Sequence, residues 1–155
     1  MKELTKEEVL AVEIERSFNA PLDTVFRAFT EPDALGKWGV GRTYENISVD
    51  IDLRVGGVIY QRVLAKDDGV IWTFFGVYTE VEEQKKLAYT FDWKTDWREE
   101  PSPNSVEIEF FDRGDSTEIK IVHADVSLAA VETTKKHWAE FLDLLSELLE
   151  KKEIV

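Results

Sequence analysis

The stretch from Val131 to Leu149 constrains the fold more than any other part of the chain. Trp138, Phe141, Leu142, Leu145, Leu148 and Leu149 recur at three- and four-residue steps, with Lys135, Lys136, Glu140, Asp143, Glu147 and Glu150 between them. This spacing predicts a helix of about five turns with one broad apolar face. A lone helix cannot satisfy a face of that width, so another layer must cover it. Nearly everything upstream reads as strand, which makes a sheet the expected cover.

The upstream pattern begins with alternation. Leu10, Val12, Ile14, Arg16 and Phe18 share one face of a half-buried strand, with Arg16 the misfit on it. Pro21 is expected to open a helix whose apolar face is Leu22, Val25, Phe26 and Phe29. Thr30 is expected to cap a second short helix, with Pro32 in its first turn and glycines 36, 39 and 41 breaking it after Leu35 and Trp38. Ile47, Val49, Ile51 and Leu53 alternate in the next strand, and Arg54 to Gly57 turn the chain. Val58 to Ala65 follows, its inward face unreadable from the pattern. Asp68-Gly69 marks a hairpin, because the pair supplies positive φ angles. Trp72, Phe74, Gly76 and Tyr78 share a face of the following strand, and Leu87, Tyr89, Phe91 and Trp93 share a face of the next. A loop is expected from Lys94 to Asn104, with Trp97 in it placed to cap a cavity mouth or contact a partner. Two more strands carry Val106, Ile108 and Phe110, then Thr117, Ile119, Ile121 and His123. The order predicts an α+β fold: a curved antiparallel sheet of about seven strands, two short helices and a long C-terminal helix.

Composition limits the partners. The chain has 155 residues, which suits a single domain over 1–155 with residues 1–8 frayed. The 32 acidic residues against 19 basic ones give a formal charge of −13, the wrong sign for a nucleic acid or an anionic membrane surface. No cysteine is present, and no apolar run reaches about 18 residues, so a cytoplasmic protein without disulfides or a membrane span is expected.

Several local signatures resemble one family. Arg16-Ser17-Phe18-Asn19-Ala20-Pro21, then Val25-Phe26, then Thr30-Glu31-Pro32 with Leu35 and Trp38, are similar to its opening. Asp52 to Gly57, Asp68-Gly69, Gly76 to Glu80, Leu87 to Phe91 and Ser116 to His123 continue in the right order, and the Trp138 helix closes it. The family comprises homologues of the C-terminal domain of the activator of the ninety-kilodalton heat-shock protein's ATPase. The resemblance implies the START-like, helix-grip fold, whose members often hold an apolar ligand between sheet and long helix. It also implies a link to the stress response through a chaperone, and it brings no catalytic residues with it. One departure is His137-Trp138, where the family often has Gly-Trp.

On this fold the candidate cavity-lining residues are Trp38, Val49, Ile51, Tyr60, Trp72, Phe74 and Tyr78 from the first half of the chain. Tyr89, Phe91, Trp93, Ile108, Phe110, Ile119, Ile121 and His123 follow, with Trp138, Phe141, Leu142 and Leu145 from the last helix. The same rings read equally as ordinary core. His123 reads as a polar handle, as a general acid or base, or as a satisfied core or rim histidine. Asp50, Asp52 and Arg54 share a strand face, either to anchor a ligand or to fix the turn at Gly56-Gly57. Two histidines 14 apart fit no zinc spacing, so neither metal nor cofactor is expected. Three functions remain: a non-enzymatic module for a small apolar, aromatic or lipid-like ligand, a chaperone-activator-like protein contact, or an enzyme on a small hydrophobic substrate. The oligomer is expected to be a monomer or homodimer.

Overall fold

A computed structural model describes residues 9–95 and 98–154. Strand β1 (Val9–Phe18) leads through α1 (Leu22–Thr30) and α2 (Pro32–Trp38) into a meander. Its six strands are β2 (Tyr44–Ile51), β3 (Val58–Ala65), β4 (Ile71–Glu82), β5 (Lys86–Thr95), β6 (Arg98–Asp112) and β7 (Thr117–Ser127). A single 3-10 turn, Leu128–Ala130, enters α3 (Val131–Glu150). The sheet is antiparallel throughout, in the order β1-β7-β6-β5-β4-β3-β2. This is the α+β helix-grip architecture expected from the sequence.

Because β1 and β2 lie at opposite edges, the helical connection between them must cross the sheet. Six strand gaps span roughly 29 Å when flat, and the helical residues of α1 and α2 rise roughly 24 Å. Sheet curvature and the 39–43 link close the difference. The crossing covers one end of the concave face. There Phe26 and Phe29 meet Phe110 edge-on at 5.1 and 5.5 Å, and Trp38 leans on Phe29 at 4.7 Å. Trp38 Nε1 donates to the Ala28 carbonyl at 2.8 Å, and Thr117 Oγ1 donates to the Ala20 carbonyl at 2.8 Å, so these two buried donors are satisfied. Leu142, Leu145 and Leu149 of α3 complete this core with Ile119 and Ile121 of β7. Beyond α3 the chain reverses at Lys152 (φ 56°), Glu153 N–H bonds the Leu148 carbonyl, and Ile154 returns to the core at 3 % exposure.

β4 runs close against β5 at Gly76. A methyl on Gly76 would stand 1.7 Å from the Thr90 carbonyl oxygen, so only glycine fits under β5 there. The β4–β5 register shifts beside it, between Tyr78 and Glu80, and Thr90 Oγ1 accepts the Val77 N–H at 2.9 Å.

Several local expectations are corrected. Pro21 is the N-cap of α1 rather than its first helical residue. Thr30 ends α1 and bonds back to the Phe26 carbonyl at 2.9 Å, while Glu31 caps α2. Gly36 lies inside α2, where a methyl would meet Asn46 Nδ2 at 2.8 Å; the absent side chain admits β2, so it is not a breaker. Arg16, the misfit of β1, pairs at 2.7 Å with the exposed Asp143 on α3. Ile47 and Leu53, expected to face inward, are exposed, because β2 shifts register between Asn46 and Ser48 and ends at Ile51. Of the expected 94–104 loop, the described residues 94–95 and 98–104 are strand: Thr95 pairs with Arg98, and the prolines at 101 and 103 fall at the register shift between the Phe91–Asn104 and Trp93–Glu100 pairs. Residues 1–8 and Trp97 lie outside the described residues. No described helix is long and apolar enough to cross a membrane.

Candidate functional site

Along β7, β5 and α3, burial falls over the stretches 119–125, 87–93 and 145–133. On β7, Ile119 and Ile121 are fully enclosed, His123 is 6 % exposed, and Asp125 is exposed. On β5, Leu87 and Tyr89 are buried while Phe91 and Trp93 are half-buried. On α3, Leu145 and Leu142 are buried, Trp138 is half-buried and Thr133 is exposed. At this second end the sheet and helix part around a cavity of about 970 Å³.

Its walls are mostly rings. Trp72, Phe74, Phe91 and Trp93 come from the sheet, and Trp138 and Phe141 from α3. Phe74 lies within 12° of parallel to Trp72 at 6.4 Å and within 11° of parallel to Phe91 at 5.6 Å, while Trp93 leans on Trp72 at 5.0 Å. Trp38, Tyr89 and Ile108 line the side toward the filled end. Rings carry few rotatable bonds, so such a wall keeps its shape without being filled.

A hydrogen-bond chain links four residues that border the cavity. Trp138 Nε1 donates to His123 Nδ1 at 3.1 Å, His123 Nε2 lies 3.2 Å from Asn104 Oδ1, and Asn104 Nδ2 donates to the Asp125 carbonyl at 2.9 Å. An indole N–H can only donate, so His123 Nδ1 carries the lone pair and Nε2 carries the proton. Burial lowers the His123 pKa from 6.5 to about 4, keeping the ring neutral at pH 7. A second ring proton would also face the Trp138 donor. Burial raises the Tyr78 phenol above its ordinary value; burial and the neighbouring Tyr78 do the same for Tyr89, whose ring meets Tyr78 edge-on at 5.7 Å. The Tyr78 hydroxyl is buried with no hydrogen-bond partner among the described residues.

A family model described as Activator of Hsp90 ATPase homolog 1-like protein matches residues 19–150. The chain belongs to that family. Three solved structures carry the same likeness. A Chromobacterium violaceum protein is 26 % identical, with TM-score 0.80, over 90 % of this chain and 97 % of that one. One from Nitrosomonas europaea is 22 % identical, with TM-score 0.78, over 94 % and 97 %. The AHSA1 protein from Silicibacter pomeroyi is 16 % identical, with TM-score 0.82, over 92 % and 99 %. No curated protein matches the chain.

Within this Activator of Hsp90 ATPase homolog 1-like fold, the candidate residues divide into groups. Trp38, Trp72, Phe74, Tyr89, Phe91, Trp93, Ile108, His123, Trp138 and Phe141 border the cavity. Tyr78, Phe110, Ile119, Ile121, Leu142 and Leu145 instead fill the core beside it, and Val49 and Ile51 pack half-buried against that core. Tyr60 is a correction: it does not border the cavity, because it alternates along β3 with Ile59 and Gln61, which do, and pairs with the exposed Asp50. Asp52 binds Arg54 at 2.8 Å at the β2–β3 turn, away from the cavity. Gln61, Asn104, Asp125 and Phe29 also border the space and were not among the expected residues. Gln61 hides in a strand whose inward face the pattern does not reveal, and Asn104 in a proline-bearing stretch that reads as loop. Among the described residues, no group of three His, Asp or Glu side chains is placed to hold a metal ion.

Proposed function

We propose that this chain binds a small apolar, aromatic or lipid-like guest between sheet and α3 and performs no chemistry on it. The ring-lined cavity of about 970 Å³ carries this reading. Small-molecule sites typically measure about 300–1,000 Å³, with mainly apolar walls and a few polar groups that orient the guest. Gln61, Asn104 and His123 are such groups here. An acid–base role would ask His123 for a lone pair that Trp138 already engages. The competing reading, contact with a chaperone, draws on the family description alone, whereas the guest reading draws on the geometry of this chain.

Native mass spectrometry of freshly purified protein tests it directly: a co-purifying small molecule is expected. Titration with apolar fluorescent probes is expected to saturate at one equivalent and to quench tryptophan emission. A flat response across a lipid and aromatic panel overturns the proposal.

A further inference from the structure

The polar groups around the cavity bear on what charge a guest can carry. We infer that the guest is an uncharged aromatic molecule and that the site rejects an anionic head group. The inference rests on the binding reading above and adds the chemistry of the occupant.

Among the described residues, the enclosed polar side chains present no positive charge. Gln61 and His123 are both buried. Gln61 is an amide, with its Nε2 turned to Asn46 Oδ1 at 3.4 Å. His123 could become an imidazolium only by setting a second N–H against the Trp138 indole N–H. Asn104, the next member of that chain, is again an amide. A guest's carboxylate, sulfonate or phosphate drawn inside would therefore lose its hydration and meet dipoles rather than a counter-charge.

The mouth adds a like charge. Asp125 borders the cavity and is exposed, in a left-handed backbone conformation (φ 62°) fixed by the bond from Asn104 to its carbonyl. The first turn of α3 opposes it, since Thr133 and Thr134 also border the mouth and no side chain caps that helix end. Its partial positive charge fades within a turn and already faces Glu132 in the same turn. Across a molecule of net charge −13, the longer-range field also turns anions away. What the walls offer instead is ring surface, which aromatic guests use through stacked and edge-to-face contacts.

A matched pair of probes tests this. N-phenyl-1-naphthylamine and 8-anilinonaphthalene-1-sulfonate share one ring system and differ by the sulfonate. Titrated into the folded protein at fixed ionic strength and followed by tryptophan quenching, the uncharged parent is expected to bind at least ten times more tightly. Thr133→Lys places a cation at the mouth on an exposed helix position, and is expected to shift the ratio of the two affinities at least fivefold toward the sulfonate. Equal or tighter binding of the sulfonate by the unaltered protein overturns the inference while sustaining the binding reading, as does a ratio that Thr133→Lys leaves unmoved. If neither probe saturates, the binding reading itself falls and takes the inference with it.

Discussion

The two halves of α3 carry one continuous apolar stripe into different surroundings. The C-terminal half sets Leu142, Leu145 and Leu149 into a core built from Phe110, Ile119, Ile121 and the crossing helices α1 and α2. The N-terminal half holds Trp138 and Phe141 above the rings of β4 and β5, where α1 and α2 reach the space only along one side through Phe29, Leu35 and Trp38, and Trp138 donates a hydrogen bond to His123 on the sheet. The difference teaches that the stripe specifies a helix and a sheet-facing side but leaves the occupant of the space beneath to other elements. Density decides stability at the filled end, while at the other end stiff rings and a polar strut hold open a volume that contributes little to it.

That contrast can be broken by substitution. The largest effect is expected from Leu145→Ala, a fully buried change at the filled end, which should lower unfolding free energy by about 3 kcal/mol in urea titrations. A loss below about 1 kcal/mol would mean that this end is as loose as the other.

The strut should show itself through pH. The folded His123 pKa of about 4 lies below the ordinary value of 6.5, so the unfolded chain takes up the proton first as pH falls. Its contribution is whole above about 6.5 and is lost progressively down to about 4. The total is on the order of 3 kcal/mol. His123→Phe should flatten that part of the stability–pH curve, measured as the difference between the two proteins at pH 7 and pH 4.5. Parallel curves would remove His123 from the account.

A smaller change is expected from Thr117→Val, which deprives the Ala20 carbonyl of its buried donor at the filled end. It should cost about 1 kcal/mol, read by the same titration. Phe74→Leu at the open end should cost less than that, roughly 0.5 kcal/mol, while weakening uptake of an uncharged aromatic probe severalfold. A larger stability loss there than for Thr117→Val would erase the distinction between the ends.

The sequence made most of the architecture legible, and the reasons are local. Alternation at Leu87 to Trp93 and the three- and four-residue spacing from Val131 are signals that a single element carries by itself. The family resemblance joined them in order. Hidden instead was whatever depends on partners across the sheet. Tyr60 reads as a polar wall residue until the register of β3 turns its neighbours Ile59 and Gln61 to the cavity instead. Leu142 and Phe91 both belong to aligned apolar faces, yet one is core and the other cavity wall, because α1 and α2 cover only one end. Asn104 was obscured by prolines that signal a loop, although they occupy a register shift in a strand.

Gly76 is not among the residues that border the cavity of about 970 Å³, yet it sets how closely β4 passes beneath β5. A single added carbon there would have to push the two strands apart and unroll the sheet, altering the girth of the chamber without altering any surface a guest touches. Capacity and selectivity in this molecule therefore answer to different residues, and the room could be resized by changes outside it while its furnishings stayed the same.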